Sequence, residues 1–387
     1  MLVFPISNGM KKILIFSLSY YPLGGGAEMA IREITSRISN EEISFDLVTM
    51  RFHHSHLNYE KAGNLNIYRI GGGLGYFGKI LFIPQAVFFA IRRKYDMYWA
   101  MMTYMLFPIV FLRFMGKKIP YVLNLQDGDP FEHVFERFQI IFFKPFLNYG
   151  FRRAFKVQVL SNFLAGWAKK MGYTGKVEII PNGVDFNKFD LSLSSDERNS
   201  IRNLWGVTSE DIILTSSSRL VKKNGLDDVV SAIALLPSNF KFINFGFGPD
   251  KKMLENLAKE LRVENRIRLL NYSEKDLPRQ FKSCDIFIRP SLSEGQGISF
   301  LEGMAAGLPV IATPVGGIPD FLDDKETGVF CSPNNPKSIV KAVELILGDN
   351  VLKEKIVNNA RTMVKERYDW DNITRNMKEL VFDKLPK

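Results

Sequence analysis

Two glutamates eight residues apart are the feature of this sequence that points most clearly to chemistry. Glu294 is predicted to lie in a loop before a helix and Glu302 inside that helix, so that both carboxylates can line one cleft. Gly295 and Gly297 leave backbone N–H groups exposed near the start of the helix, where the helix dipole favours negative charge. Two carboxylates beside backbone donors suit a ligand that carries many hydroxyls and a diphosphate. A helix-terminal acid and a solvated glutamate would explain either residue alone, but not the whole run from 289 to 320.

A basic segment at residues 218–225 is a candidate anion site. It follows a predicted strand at 212–216 and leads into a predicted helix. The guanidinium of Arg219 offers a planar fork for phosphate oxygens, and a lysine offers a point charge. A basic helix cap on the surface explains the segment about equally well, so these cations do not establish a site by themselves.

Three consecutive glycines, Gly24 to Gly26, form a candidate ligand loop near the amino terminus. They lie between a predicted strand at 13–17 and a predicted helix at 27–38. Consecutive glycines let the backbone approach a ligand closely and point N–H groups at it. The spacing is not that of the dinucleotide fingerprint G-x-G-x-x-G, and no acidic residue ends the second strand. A flexible strand–helix turn is a simple alternative, so the loop alone is a weak signal.

An alternation of short apolar strands and helical segments positions these candidate sites and predicts α/β domains with parallel sheets. The strands predicted in the first half are 13–17, 44–49, 66–70, 97–100, 121–125, 156–160 and 177–180. The pattern restarts with 212–216, 241–245, 267–269, 286–288, 310–312 and 328–330. Residues 181–195, rich in Pro, Asn, Asp and Ser, are interpreted as the linker. We therefore expect two doubly wound domains that face a cleft, with ligands beyond the carboxyl ends of the strands.

Composition excludes several classes of protein. The 387 residues suggest two or three domains, and 24% charged residues argue against a disordered or fibrous chain. Two cysteines are too few for a disulfide framework, which makes a reducing cytoplasm the expected location. Residues 1–9 lack the basic lead and cleavage site of a secretory signal. No stretch reaches the roughly 20 apolar residues of a spanning helix, and the nearest, 80–91 and 98–114, fit buried or interfacial segments.

Positive charge is concentrated in the first half of the chain, where residues 1–190 carry 23 Lys and Arg against 14 Asp and Glu. Residues 76–156 carry 12 against 5 and are rich in aromatic and aliphatic side chains. A basic aromatic stretch of this kind favours an anionic membrane surface as partner. The candidate contacts are Lys144, Arg152, Arg153 and Lys156. Core helices with solvated basic tips are the alternative, and nucleic acid is disfavoured because no nucleic-acid motif accompanies the charge.

Taken together, these motifs resemble those of the retaining glycosyltransferases of family 4, which have the GT-B fold of two Rossmann-like domains. The motifs that carry the resemblance are Gly-Gly-x-Glu at 25–28, Pro-Asn-Gly-Val-Asp at 181–185, Arg-Leu…Lys…Gly at 219–225 and the E-x7-E pair at 294 and 302. The resemblance runs over nearly the whole chain. It implies an acceptor-binding domain at 1–183 that includes a crossover helix at 368–387, and a nucleotide-sugar-binding domain at 184–367.

The resemblance implies an enzyme that moves a hexose from a GDP- or UDP-sugar to a lipid-linked or glycan acceptor, with retention of configuration. Such an enzyme would work as a peripheral protein at the cytoplasmic face of the membrane, in the synthesis of an envelope polysaccharide or glycolipid. It would need neither a cofactor nor a metal ion, and Asp127-Gly128-Asp129 is interpreted as a turn. A non-catalytic nucleotide-sugar-binding protein and a sugar-nucleotide epimerase on the same fold are the alternatives.

The same resemblance assigns roles to individual residues. Glu294 would contact the hydroxyls of the donor sugar, and Glu302 the ribose. Arg219 and Lys223 would neutralise the diphosphate, and with Glu294 they are the expected catalytic residues. Further donor contacts are expected from Gly25, Gly26 and the backbone N–H groups of Gly297 and Ile298.

Two departures concern the charge of the site and its selectivity. Asn224 separates the phosphate lysine from the glycine that it directly precedes in much of the family. Lys223 is therefore the better candidate and Lys222 the fallback. Gln296 replaces a common phenylalanine, and we expect this replacement to alter sugar selectivity.

A third departure lies after the predicted strand 121–125, where Gln126 stands in place of a histidine that many members carry. Glutamine cannot act as a general base. Gln126 would instead hold a sugar hydroxyl, with Asp127 or His133 recruited in addition.

Overall fold

The computed structural model describes residues 10–71 and 75–384, and this part of the chain forms two compact α/β units. The second unit is Gly183–Asp369, and the first takes the chain on either side of it, up to Asn182 and from Trp370. Residues 1–9, which we do not expect to be a secretory signal, lie outside the described residues.

The first unit is built on a sheet that has eight strands within the described residues. The strands are β1 Lys11–Phe16, β2 Ile43–Met50, β3 Tyr59–Ala62, β4 Leu65–Ile70, β5 Met97–Met101, β6 Tyr121–Leu125, β7 Lys156–Val159 and β8 Val177–Ile179. The helices are α1 Gly26–Arg37, α2 Gly75–Ile91, α3 Leu106–Phe114, α4 Phe131–Phe135, α5 Phe138–Ile141, α6 Lys144–Arg153 and α7 Asn162–Lys170. The strand order is β3-β4-β2-β1-β5-β6-β7-β8, in which β3 and β4 are antiparallel and the other neighbours are parallel.

Both faces of this sheet are buried, which explains why its strands are continuous apolar runs. In β1, Ile13 and Ile15 belong to one core cluster, whereas Leu14 and Phe16 belong to another. The predicted strands are confirmed to within one or two residues at each end for this reason. The edge strand β3 was not predicted, because its four residues are all exposed and carry no apolar pattern.

The second unit contains a six-stranded parallel sheet in the order β11-β10-β9-β12-β13-β14. Its strands are β9 Ile212–Ser217, β10 Phe240–Phe245, β11 Ile267–Leu270, β12 Ile286–Arg289, β13 Val310–Ala312 and β14 Val329–Phe330. Its helices are α8 Phe186–Phe189, α9 Ser195–Leu204, α10 Leu226–Leu235, α11 Lys251–Glu260, α12 Leu277–Lys282, α13 Ile298–Ala305, α14 Pro336–Gly348 and α15 Asn350–Arg367. The expected fold class of two doubly wound, Rossmann-like α/β domains is confirmed.

The interpretation of residues 181–195 as a linker is wrong in part. The segment contains α8, whose Phe186 and Phe189 are buried in a core cluster of the second unit. The side chain of Asp185 caps this helix by accepting the backbone N–H of Lys188 at 3.1 Å. The composition of the segment reflects helix caps and turns, which use the same polar residues as flexible linkers.

The last α-helix of the described residues is α16, Trp370–Leu380, which belongs to the first unit. Trp370, Ile373 and Met377 are buried in the core cluster that also holds Ile13. These apolar residues recur three and four positions apart, so they form one face of the helix and explain its docking against the first sheet.

The basic aromatic stretch is divided among several short helices. Residues 131–153 form α4, α5 and α6 in succession, so the aromatic and basic residues of this part of the stretch lie on three short helices. The apolar segment 98–114 is likewise split between β5, a 3-10 turn and α3.

Each sheet has one point at which its strand order reverses. In the first unit the reversal lies between β1 and β5, and in the second it lies between β9 and β12. Open α/β sheets bind ligands outside the carboxyl ends of the strands at such a point. The loops that follow these four strands are therefore the places to look for a site.

Candidate functional site

The loops at the carboxyl edge of the second sheet are packed against one another through glycines. A Cβ added to Gly225, after β9, would lie 2.1 Å from the carbonyl oxygen of Pro290, after β12. A Cβ added to Gly316, after β13, would lie 1.9 Å from the carbonyl oxygen of Glu294. Both glycines also have positive φ, +66° and +58°. The Leu292 N–H donates to the carbonyl of Lys223 at 2.6 Å, which ties the β9 and β12 loops together.

The three cations of the β9 loop have different surroundings. Arg219 is exposed, and its guanidinium has neither a hydrogen bond nor an ion pair within the described chain. Lys222 forms an ion pair with Asp227, which raises the pKa of that lysine through their hydrogen bond. Lys223 is half-buried beside it. Arg219 is therefore open to an anionic ligand, whereas Lys222 is already paired within the protein.

Glu294 follows β12 and is held from both sides. Its Oε2 accepts a hydrogen bond from Nη2 of Arg289 at 2.6 Å, and its Oε1 accepts the Gly295 N–H at 3.1 Å. Arg289 closes β12 and is buried, with its guanidinium 4.2 Å from the ring centroid of Phe300. Its Nη1 donates to the Ser299 hydroxyl at 2.9 Å. The first glutamate of the pair is thus an oriented carboxylate at the reversal point of the sheet.

Gly297 and Ile298 form the amino-terminal turn of α13. Gly297 has φ +84°, and a Cβ there would lie 2.4 Å from Nη2 of Arg289, so only glycine fits. Both residues are half-exposed. The first N–H groups of a helix have no partner inside the helix, which makes this turn a suitable place for phosphate or sugar oxygens.

Glu302 lies in α13 and is buried. Burial raises the pKa of this carboxyl to about 7, while Lys188 opposes the rise and Glu274 adds to it. Lys188 and Glu274 form their own ion pair at 3.6 Å. The pKa of the second glutamate therefore lies close to neutral pH. A hydroxyl that donates a hydrogen bond to its carboxylate could stabilise the charged form.

The glycine loop of the first unit leads from β1 into α1. Gly24, Gly25 and Gly26 are exposed, and α1 begins at Gly26. Glu28, in the first turn of α1, is buried and accepts a hydrogen bond from the Ser19 hydroxyl. The loop thus offers exposed backbone at the reversal point of the first sheet, above a buried carboxylate.

The residues after β6 are only partly brought together. Oε1 of Gln126 accepts a hydrogen bond from Nδ2 of Asn182 at 2.9 Å, and its Nε2 is buried with no partner in the described chain. Asp127 is buried and accepts the Thr103 hydroxyl at 3.3 Å. His133 lies apart from them in α4 and is exposed. Gln126 and Asp127 share the edge of the sheet with the loop after β5, whereas His133 belongs to the helix beyond it.

The four basic residues considered for a membrane also differ. Lys144 forms an ion pair with Glu136 at 3.0 Å, and Lys156 forms one with Glu178 at 2.7 Å. Arg152 and Arg153 are exposed and line an open groove with Tyr149. Within the described residues no helix is long and apolar enough to span a membrane.

Arg289 is a residue to which sequence reasoning gave no role. The signal was a single basic residue that closes the otherwise apolar strand Ile286–Arg289, directly before the Pro-Ser pair that leads to Glu294. A charge at the end of a buried strand must be paired, and the partner of Arg289 is Glu294. Within residues 10–71 and 75–384, no group of three His, Cys, Asp or Glu side chains is placed to hold a metal ion.

Comparisons with known proteins agree with this arrangement of two halves. The family described as Glycosyltransferase Family 4 matches residues 24–188, and the family described as Glycosyl transferases group 1 matches residues 197–363. An uncharacterized glycosyltransferase of Methanocaldococcus jannaschii is 35% identical over 203 residues, which is 52% of each chain. Alpha-monoglucosyldiacylglycerol synthase of Acholeplasma laidlawii is 23% identical over 223 residues, 56% of this chain and 55% of the relative. The matches thus span about half the length of these curated relatives.

Among solved structures, Anabaena HepE in complex with UDP and glucose is similar over 96% of this chain and 100% of that one. Its TM-score is 0.79 at 21% sequence identity, which shows a shared fold. The fold is therefore GT-B. With one family match on each half of the chain, this protein belongs to the glycosyltransferases of family 4.

Proposed function

We propose that the protein is a retaining glycosyltransferase that moves a hexose from a nucleotide-sugar to a lipid-linked or glycan acceptor. The observation that carries the proposal is the edge between β9 and β12. There an unpaired guanidinium, Arg219, shares one set of interlocked loops with the fixed carboxylate of Glu294. A cation for a diphosphate and an acceptor for sugar hydroxyls are the two features that a nucleotide-sugar requires.

The proposed chemistry follows from the charges of this edge. As the glycosidic bond of the donor breaks, the nucleoside diphosphate leaves with negative charge and the anomeric carbon becomes cationic. Arg219, Lys223 and the N–H groups of Gly297 and Ile298 would stabilise the leaving charge. Loss of one such donor typically costs about 2.7–4 kcal/mol in the transition state. No covalent glycosyl-enzyme is required, because the leaving phosphate can accept the proton of the acceptor on the same face.

Relatives support the choice of ligands. Anabaena HepE was crystallised with UDP and with UDP-glucose, so UDP-sugars are the first donors to test, followed by GDP-sugars. Alpha-monoglucosyldiacylglycerol synthase is named for a glycolipid, which supports a lipid acceptor. We propose that Gly25 and Gly26 contact the donor phosphates and acceptor, and that Gln126 and Asp127 hold a sugar hydroxyl.

A peripheral position at the cytoplasmic membrane face is part of the proposal, and an aromatic surface on the first unit supports it. This surface consists of Phe111, Phe114, Phe138, Phe142 and Phe143. Phe138, Phe142 and Phe114 are 80%, 71% and 62% exposed. Helices α3, α5 and α6 carry no acidic residue but several basic ones. Exposed aromatic rings beside cations suit an anionic bilayer. Lys156 forms an ion pair with Glu178, so we do not count it among the cations beside this surface.

Liposome co-sedimentation tests this position. We expect more binding to anionic than to neutral liposomes and partial release by moderate salt, because salt screens charge but not insertion. Reversal of Arg152 and Arg153 to Glu should remove the salt-sensitive part. The double variant Phe138→Ser, Phe142→Ser should remove the salt-resistant part, whereas Leu204→Ser, an exposed site on the second unit, should change nothing. Equal indifference to both liposome types would make a soluble acceptor the better proposal.

The transfer reaction is tested by incubating the protein with UDP- and GDP-sugars and measuring the nucleoside diphosphate released, with and without a lipid acceptor. We expect release with at least one donor, and NMR should show an α-linked product from an α-linked donor. Tight binding of a nucleotide-sugar with no release under any condition would instead favour a non-catalytic binding protein.

A further inference from the structure

Arg289 contacts both the loop after β12 and the first turn of α13. Arg289 donates to Glu294 at 2.6 Å through Nη2 and to Ser299 at 2.9 Å through Nη1. The same guanidinium lies over Phe300 and fills the space that a side chain at position 297 would need. It therefore joins the loop that carries Glu294 to the first turn of α13.

This arrangement is more than a buried ion pair. An ionised carboxylate has about four directions in which it accepts hydrogen bonds. Arg289 occupies one on Oε2, and the Gly295 N–H occupies one on Oε1. The plane of the carboxylate is thus fixed, and the remaining directions point away from these two donors. A carboxylate held in this way accepts two neighbouring hydroxyls in one orientation only.

Burial of Arg289 is unusual enough to need a reason. Arg289 is 5% exposed, and burial lowers the pKa of its guanidinium while Glu294 and Glu302 oppose that change. A buried ion pair adds little stability compared with a well-packed apolar pair, because both charges must leave water. Stability therefore does not explain why Arg289 is buried, whereas the need to orient a ligand-binding carboxylate does.

We propose that Arg289 is a positioning residue that sets the sugar selectivity of Glu294, without itself touching the donor. The proposal rests on the function proposed above. Arg289 fixes the plane of the Glu294 carboxylate relative to the amino-terminal turn of α13. As a result, the sugar hydroxyls bind to an oriented pair of carboxylate oxygens, while the diphosphate is bound chiefly by the cations of the β9 loop. Ser299 also contributes to this positioning, because its hydroxyl accepts a hydrogen bond from Nη1 of Arg289.

The test is calorimetric titration of the whole protein with UDP, UDP-glucose, GDP and GDP-mannose. Arg289→Met and Glu294→Gln should each weaken binding of the sugar-bearing nucleotide about 10- to 100-fold, the range for a charged hydrogen bond, with unchanged affinity for the bare diphosphate. The double variant should lose no more than either single one, because both changes remove the same interaction. Arg289→Lys should restore only part, since an ammonium lacks the two-armed fork.

Ser299→Ala guards against misfolding of the Met variant, because it removes one neutral acceptor and leaves the ion pair intact. It should weaken the nucleotide-sugar about 2- to 12-fold and leave the diphosphate unaffected. Additive losses in the double variant, or an unchanged nucleotide-sugar affinity in Ser299→Ala and Arg289→Lys, would overturn the inference alone. Binding of none of the four nucleotides by the wild-type protein would overturn the proposed function, and the inference with it.

Discussion

Different physical factors explain why glycines occupy the carboxyl edges of the two sheets. In the second unit, a Cβ at Gly225 or Gly316 would overlap a carbonyl oxygen of a neighbouring loop. In the first unit, a Cβ at Gly25 would meet only the end of the Glu28 side chain, at 2.9 Å. Gly25 also has an extended backbone, with φ −149°, that any residue adopts. One edge needs glycine for its own packing, whereas the other keeps glycine where the backbone is exposed.

The difference indicates that the two edges have different roles in the proposed reaction. The interlocked loops after β9, β12 and β13 fix the backbone at Arg219 and the carboxylate of Glu294, which suits the electrostatic stabilisation of a leaving group in the proposed reaction. Neighbouring backbone does not require glycine in the loop after β1, so this exposed loop is available for the close approach of a ligand. Variants that act on one edge and spare the other can therefore test the comparison.

The largest effect is expected from the carboxylate of the interlocked edge. Glu294→Ala should lower transfer about 100-fold or more, because the proposed acceptor for the sugar hydroxyls is lost. The protein should stay folded but melt at a lower temperature, because Arg289 is left buried without its partner. Glu326→Ala, which removes an exposed carboxylate paired with Lys355, is the matched control and should transfer normally. Near wild-type turnover of Glu294→Ala on a working donor would end its assignment.

A pair of alanine substitutions compares the two edges directly. Gly316→Ala should lower the melting temperature by about 5 °C or more, because φ is positive there and the Cβ would meet the Glu294 carbonyl. Gly25→Ala should change the melting temperature much less but reduce transfer, since its Cβ would displace the end of the Glu28 side chain within the loop that we propose contacts the donor. Similar melting temperatures for the two variants would remove the distinction between the edges.

The buried acid of α13 should make the interlocked edge sensitive to pH. Because burial raises the pKa of Glu302 to about 7, its protonated form is favoured in the folded state. The corresponding stability is complete below the ordinary glutamate value near 4.5 and is lost as pH rises to about 7. Relative to Glu302→Gln, the wild-type protein should therefore lose melting temperature between pH 5 and pH 7.5. A constant difference between the two proteins over this range would contradict the raised pKa.

The smallest effects separate the two neighbouring lysines. Lys223→Ala should weaken nucleoside-diphosphate binding about tenfold, as expected for a charged contact. Lys222→Ala should weaken it less, because Asp227 already pairs with that lysine. Equal losses at the two positions would show that both lysines reach the phosphates.

The sequence predicted the sheets well because a buried parallel strand is a short apolar run whatever its neighbours are. It missed β3, which is exposed, and it gave no helix bounds within 131–153, because the helix breaks there depend on tertiary packing. It also mistook α8 for linker, since the residues that cap a short helix resemble those of a flexible loop.

The candidate site was predictable only as a set of residue types. The E-x7-E spacing and the basic loop after β9 made Glu294, Glu302 and Arg219 candidates, and the family resemblance supplied their expected roles. The Arg289 contact could not be foreseen, because it depends on how the end of β12 folds back on α13. Likewise, the pairing of Lys222 but not Arg219 depends on the side-chain geometry after β9.

Titration of UDP and GDP into the wild-type protein and into Arg219→Ala tests the central claim most directly. If the β9–β12 edge binds the diphosphate, at least one nucleotide should bind the wild-type protein and bind Arg219→Ala about tenfold or more weakly. Arg367→Ala, an exposed arginine on α15, should bind as the wild-type protein does. Equal affinity of wild type and Arg219→Ala for the bound nucleotide would contradict the account, because the diphosphate would then lie elsewhere.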